Sequence, residues 1–424
     1  MIWLIPLLLV MIVIGIPIAF SLGFVPILGI LLTDPELLIN VPRRVFSGID
    51  NFTLIAVPLF IFAGELMTKG GISKRLIDFS KTIVGPLPGG LAMVVILASM
   101  FFSALTGTAL AAAAAIGGMM LPAMKEEGYD PRFSASLVAT SSTIGPIIPP
   151  SIVLILYGVI ANVSIGDLFI AGIIPGILMG LGLMIYSFFM GRKYEYRFSE
   201  TRATFKEFLI GLKDATLALI MPLIIIGGIA SGVFTATESG VIAVVYAFII
   251  GMFVYKEITL KDIWPILLET TKTTATIIFL IGMASLFIWF LSYNQIPNQL
   301  ISLMSGVAEN PILLLLVINV VLLIAGTFID TISAVTIFTP LFLPLIGVAG
   351  IDPVHFGIIV AVNLTIGMVT PPLGVCLFVT SSIARITVPQ MFRFLFPQVA
   401  VLIVVLFVVT YMSKLILFPV QLFS

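Results

Sequence analysis

Two matching stretches 222 residues apart constrain this chain more than anything else in it: SSTIGPIIPPS at 141–151 and NLTIGMVTPPL at 363–373. Each breaks an apolar run with a glycine and a Pro-Pro pair, where a continuous helix through a membrane has neither. The same offset pairs Leu121 with Leu343, Pro122 with Pro344, Gly128 with Gly350, Asp130 with Asp352, Pro131 with Pro353 and Ala139 with Ala361. The chain is therefore an internal duplication. Interrupted apolar segments at corresponding places in two halves are the strongest sequence pointer to the binding site of a transporter.

The solvent for which the chain is built follows from its composition. Of 424 residues, 60% are hydrophobic and 9% charged, against about 25% charged in soluble domains. Apolar runs long enough to cross ~30 Å of hydrocarbon recur throughout, so the chain reads as an all-α polytopic membrane protein. Twenty basic and 20 acidic residues balance one another, which argues against nucleic acid as a partner. A single cysteine, Cys376, excludes an intrachain disulfide and a thiolate metal cluster. The apolar start, with no basic residue ahead of it, is read as a first span and not as a cleaved leader.

Taken in order, 2–20 and 21–39 read as two spans and 52–68 as a third, followed by Lys69, Lys74, Arg75 and Lys81. Two apolar pieces, within 91–123, turn at FSALTGTA (102–109) and end near Lys125 and Arg132, so they form a re-entrant hairpin opening to the cytoplasm. Asp130-Pro131 starts a broken helix, 132–162, with Asp as cap. Span 168–191 leads to a basic segment containing Arg192, Lys193, Arg197 and Arg202, part of which, 199–212, reads as an interfacial arm. Residues 214–424 repeat the plan of 1–213 upside down. Spans 215–235, 238–255 and 273–292 precede a second hairpin, 311–346, which turns at AGTFIDTIS (325–333). A broken helix, 354–384, and a last span, 396–418, follow. The exit of the second hairpin, 347–353, lacks the basic residues of the first, so the sister hairpins enter from opposite faces. The tally is ten crossings and two hairpins in two inverted-topology repeats. Arg43, Arg44 and Lys414 fall on the outer side and run against the charge rule.

Non-helical backbone at mid-membrane persists only inside protein or beside a cavity, because an unpaired amide in hydrocarbon costs several kcal/mol. Four breaks should therefore meet: two hairpin tips and two interrupted helices. Their free carbonyls and hydroxyls suit a hard cation such as Na⁺, and their helix N-termini suit an anion. In the first half the candidate sodium oxygens are the side chains of Ser103 and Thr106 and the carbonyls around Gly145, Ile148 and Pro150. In the second half they are the backbone of Ala325, Gly326 and Thr327, the Gly367 carbonyl, Thr370, and the backbone near Pro372. Asp330 is the one carboxylate in a midplane turn; it can hold a cation, bond a substrate hydroxyl or amine, carry a proton, or simply cap the helix that follows. Glu65 and Glu238, nearer span ends, read as helix-terminal or scaffold groups, and His355 reads as a solvated loop residue. The small residues at 109–115 read as a close-packing face.

At this point a family resemblance is complete. GMMLPAMKEEGYD (118–130), GPIIPPS (145–151), GVFTATE (232–238), DPVHFG (352–357) and the residues at 363–374 resemble the large membrane subunit of the tripartite ATP-independent periplasmic (TRAP) transporters of bacteria. The resemblance covers nearly the whole chain. It implies a fold of the ion transporter superfamily in the bacterial inner membrane. It also implies sodium-driven import by an elevator movement of an organic acid delivered by a periplasmic binding protein, together with a small four-helix membrane subunit. No cofactor is implied, Na⁺ being the coupling ion. The substrate would lie between the tips, at Thr108, Thr143, Asp330, Thr331, Ser333 and Asn363. No fused small-subunit segment is seen in this chain, so a separate one is expected. The absence of Arg from both tips favours a polyhydroxylated monocarboxylate such as sialic acid over a C4-dicarboxylate. An intramembrane hydrolase would need a second catalytic group near Asp330, and none is evident. A passive channel has no need of inverted hairpins.

Overall fold

The computed structural model describes residues 4–196, 204–303, 306 and 310–423. Among these the chain is helical throughout, and eight helices are long and apolar enough to cross a membrane. The helices are α1 (Leu4–Val13), α2 (Ile18–Thr33), α3 (Asn40–Ile49), α4 (Ala56–Lys69), α5 (Ile72–Val84), α6 (Gly90–Thr106), α7 (Ala109–Glu126), α8 (Pro131–Ser142), α9 (Ile152–Ala161) and α10 (Ile165–Lys193). The second half contributes α11 (Phe205–Ala230), α12 (Ala236–Ile249), α13 (Leu260–Tyr293), α14 (Ile296–Leu303), α15 (Pro311–Phe328), α16 (Thr331–Val348), α17 (Pro353–Gly367), α18 (Val375–Ala384), α19 (Val388–Tyr411) and α20 (Ser413–Phe423). An offset of 222 carries α7 onto α16 residue for residue, and α6 onto α15 within one residue. Both hairpins and both broken helices are present. Asp130 and Asp352 cap α8 and α17, accepting the Arg132 amide in one case and the Val354 and His355 amides in the other.

The helices sort into two packed groups. α4 lies against α12, α13 against α2 and α3, and α11 against α5. The hairpins α6–α7 and α15–α16 and the broken helices α8–α9 and α17–α18 form the other group, together with α10 and α19. The amphipathic α5 joins the two, with Arg75 bonded to Glu257 at 3.0 Å and stacked over Tyr255.

The hairpin group is tied across its two halves by buried polar bonds. The Tyr157 hydroxyl donates to the Pro353 carbonyl (2.6 Å) and Thr140 to the Gln398 side chain (3.1 Å). Asn319 donates to Thr410 (3.0 Å), and Asn363 to Asn319 (2.7 Å). The His355 ring sits 2.7 Å from the Val409 carbonyl. Buried polar groups are costly unless partnered, so these bonds join α8, α9, α15, α17 and α19 into one body.

Several expectations are corrected. In place of spans 2–20 and 21–39 stand α1 and α2, of 10 and 16 residues, followed by a 3-10 turn and the amphipathic α3. Gly15, in the left-handed region at φ 93°, turns the chain between α1 and α2, and Leu4 packs beside Gly29 of α2. Ten residues rise only ~15 Å, too little to cross. The arm at 199–212 and the span 215–235 are not separate where described: α11 runs through 213–214, so the division between the halves falls inside a helix, started by a capping box of Thr204 and Glu207. Arg197 and Arg202 lie outside the described residues. Span 238–255 is present as Ala236–Val254, α12 continued by a π turn, Ile250–Val254. Span 273–292 is the second half of the 34-residue α13, which therefore carries Lys261 and Lys272 on its own body. The last span begins at Val388, where Thr387 and Gln390 form a capping box, and stops at Tyr411. His355 is not solvated but 3% exposed inside α17. Glu238 is the helix-terminal group foreseen, accepting the Thr235 amide at 2.8 Å.

Candidate site between the hairpin tips

Each tip rests on the break of its own half, and glycine makes the approach possible. Between α6 and α7 only Gly107 and Thr108 are non-helical. Gly107 has φ 62°, and a Cβ on it would lie 2.6 Å from the Pro150 carbonyl oxygen. In the second half only Ile329 and Asp330 separate α15 from α16. A Cβ on Gly367 would lie 2.6 Å from the Gly326 Cα. The hydroxyl of Thr331 then reaches the Met368 sulfur at 2.9 Å. Both Pro-Pro bonds in the breaks are cis.

The structure gathers most of the candidate sodium positions at these two junctions. Thr106, Gly145 and Pro150 surround the first tip; Gly326, Thr327, Gly367 and Thr370 surround the second. The hydroxyls of Thr106 and Thr327 donate inside their own helices, to Phe102 (3.4 Å) and Ile324 (2.7 Å), and that of Thr370, in the break after α17, donates back to Ile366 (2.8 Å). Their lone pairs stay available, the polarity a cation needs. The Ala325 and Gly367 carbonyls already accept the Ile329 and Thr370 amides, both at 2.9 Å, and each keeps a second lone pair. Ala325, Gly326 and Thr327 are the last turn of α15, not a loop. Ile148 turns its side chain towards Gly176 of α10. Pro372 is exposed. Ser103 lies in the helical part of α6.

A cavity of about 330 Å³ opens between the tips, at the low end of the range for small-molecule sites. Thr108, Asp330 and Thr331 line it. Three other substrate candidates do not meet there. Thr143 is buried and donates to the Thr140 carbonyl (2.7 Å). Asn363 is fully buried and committed to Asn319. Ser333 lines a neighbouring crevice beside α2 and α13, which Asp330 also touches.

The two tips differ in polarity. Asp330 caps α16 by accepting the Ser333 amide at 3.1 Å. Thr108 occupies the same position before α7 but makes no side-chain cap bond. The first-turn residues Leu110 and Ala111 line the cavity, and the N-terminal amides of α7 are the ones its own hydrogen bonds leave free, a natural anion cradle. The opposite wall comes from the other helix group: Ile61, Gly64 and Glu65 of α4, and Thr273 and Ile277 of α13. These were missed in the sequence. Their signal was helical spacing, with Ile61, Gly64 and Glu65 on one face of an otherwise apolar helix. The small run at 109–115 also does more than pack, since Ala109 and Ala111 border the cavity.

Comparisons with known proteins agree over nearly the full length. The chain is 39% identical over 409 residues to the sialic acid TRAP transporter large permease protein SiaM of Vibrio cholerae, covering 96% of each protein. It is 39% identical to the C4-dicarboxylate TRAP transporter large permease protein DctM of Pseudomonas aeruginosa, covering 92% of this chain and 91% of that one. With the isethionate TRAP transporter permease protein DctMQ of Oleidesulfovibrio alaskensis it shares 40% identity over 96% of its own length, and spans 64% of that longer protein. The solved structure of the Alcanivorax borkumensis YdaH transporter has the same overall fold, with a TM-score of 0.66, 89% of each chain covered and 14% identity. Residues 5–415 match the family described as the tripartite ATP-independent periplasmic transporter, DctM component. With the two hairpins, the two broken helices and the cavity between their tips, these matches make the chain a large membrane permease of the TRAP transporter family, a multi-pass transporter subunit of the bacterial inner membrane and not an enzyme.

Proposed function

We propose that this permease uses a sodium gradient to import a hydroxylated organic monocarboxylate, of which sialic acid is the best representative, handed to it by a periplasmic binding protein. It works with a small four-helix membrane subunit. The observation that carries the substrate class is the unlike polarity of the two tips. A carboxylate suits the uncapped amides of α7, and a hydroxyl or amide hydrogen suits Asp330. A C4-dicarboxylate, the second reading, would bring its other carboxylate against Asp330 and Glu65 in a cavity lined by no Lys or Arg. Sodium coupling is supported by the hydroxyl and carbonyl oxygens at both tip-and-break junctions, because filling those junctions sets the tips for substrate. The movement is an elevator: the body of hairpins, broken helices, α10 and α19 slides as a unit against the rest. This assigns α10 and α19, both unbroken spans, to the moving part.

The state is inward-facing. By the charge rule α4 runs inwards from Ala56 to Lys69, and Glu65 stands ~6 Å from its inner end at 1.5 Å per residue. The cavity meets the scaffold at that level.

The test is uptake of labelled N-acetylneuraminate into proteoliposomes holding the permease and its small subunit, with binding protein outside. Accumulation that collapses with the sodium gradient is expected. Asp330→Asn should remove it by at least about 100-fold in assembled protein, although Asn caps a helix nearly as well as Asp. Wild-type uptake by the Asn variant would reduce Asp330 to a cap. Gradient-independent uptake by the wild type would overturn sodium coupling.

A further inference from the structure

Glu65 has no place in the coupling scheme, yet its carboxylate faces the substrate cavity. It makes no salt bridge among the described residues; the charged groups acting on it are Lys69, one turn on, and Glu269 across on α13, which oppose one another. Its position at the cavity is fixed by the residue before it. A Cβ on Gly64 would lie 3.2 Å from both the Leu105 carbonyl oxygen and the Thr106 Cα, so α4 touches the first tip directly at this level. Glu65 also stands in the last turns of α4, at the carbonyl end, where the helix dipole adds to a negative charge and does not offset it. Asp330 is the contrast. Its charge sits at the N-terminus of α16, bonded to the Ser333 amide, and it travels with the substrate. Glu65 belongs to the wall that the substrate meets only when the hairpins are seated here.

We propose, resting on the transport reading above, that Glu65 is a release residue. Its fixed carboxylate raises the free energy of an organic anion bound at the first tip in the inward-facing state alone, and so speeds departure into the cytoplasm. A like charge on the wall of the same cavity acts strongly where water is scarce, and it costs nothing on the outer side, where the tips lie away from Glu65. The ligand class is any organic acid whose carboxylate rests on the α7 N-terminus.

Proteoliposomes with the small subunit test this, with binding protein supplied only outside so that correctly oriented transporters report. Two quantities are read with N-acetylneuraminate, isethionate or succinate, whichever the wild type takes up: the external concentration for half-maximal uptake, and the luminal concentration that halves the uptake rate. For Glu65→Gln the luminal value should fall about tenfold, with the external value unchanged within about twofold. Glu65→Asp, which keeps the charge, should behave as wild type. An unchanged luminal value in Glu65→Gln overturns the proposal, whether uptake is normal or reduced, and reduction alone marks a structural role. Equal shifts on both faces overturn it too, since Glu65 would then accompany the substrate. Sodium-driven uptake by the wild type upholds the transport reading whatever Glu65 does; failure with all three acids overturns both.

Discussion

The two breaks share Thr-Ile-Gly and Pro-Pro at the same spacing and both bend the chain onto a hairpin tip, yet they sit in different surroundings. The first is sealed: all of 143–151 is buried except the half-buried Ile148, with α10 passing over it and Ser151 closing it by donating to the Pro146 carbonyl and accepting the Leu154 amide at 3.1 Å. The second is open: Pro372 and Leu373 are exposed, Leu373 by 42%. At the position equivalent to Ile152, Gly374 takes φ 63° and starts α18 without a side-chain cap. The motif sets the bend, and the helices laid over it set its access. Duplicated breaks in one chain can thus share a motif and differ in how exposed it is.

Thiol labelling gives the sharpest break of that comparison. In a Cys376→Ser background, Leu373→Cys should react with a small maleimide at least about 100-fold faster than Ser151→Cys, because reaction requires an accessible thiolate. Equal rates would make the two breaks equivalent in the membrane. Glycine replacement comes next. Gly367→Ala drives a Cβ to 2.6 Å from Gly326 backbone, whereas Gly145→Ala brings one to 3.1 Å from the Thr108 carbonyl. Overpacking costs ~1–3 kcal/mol, so Gly367→Ala should lower uptake more than about tenfold and Gly145→Ala only a few-fold; the reverse order would show the first junction to be the tighter. The smallest effect is on sodium. Thr106→Ala and Thr370→Ala each remove one oxygen, for about a three- to fivefold rise in half-saturating sodium. A response in one variant alone would leave only one junction as a cation site.

Much of this plan was legible in the sequence, for identifiable reasons. Glycine, proline and Asp-Pro caps act locally, so the hairpins and breaks could be located and the starts of α8 and α17 placed to within a residue or two, although the tips, drawn at 102–109 and 325–333, are only 107–108 and 329–330. The N-terminal pair misled because apolar content alone does not report where a helix stops: Gly15 ends α1 after ten residues. His355 misled because a residue in the first turn after an Asp-Pro cap looks solvent-facing until α19 covers it. At the site, residues beside the breaks were found, whereas Glu65, Thr273 and Ile277 were not. Their relevance arises from which helix faces the cavity, a fact of tertiary packing. Asn363 and Thr143 show the converse error, polar residues in the right segment whose side chains turn to α15 and to their own helix.

The hydrogen bonds that α19 makes have a consequence for how the molecule is built. Thr140, Asn319 and His355 are spread over α8, α15 and α17, and each takes its distant partner from Gln398, Thr410 or the Val409 carbonyl. A ribosome delivers those partners last. Until α19 has entered the bilayer, three polar groups destined for burial wait without them, so the body of hairpins and broken helices cannot close during synthesis of its own halves. Its assembly is a terminal event, and a chain that stops short of Val388 would leave the hairpins inserted but unlocked.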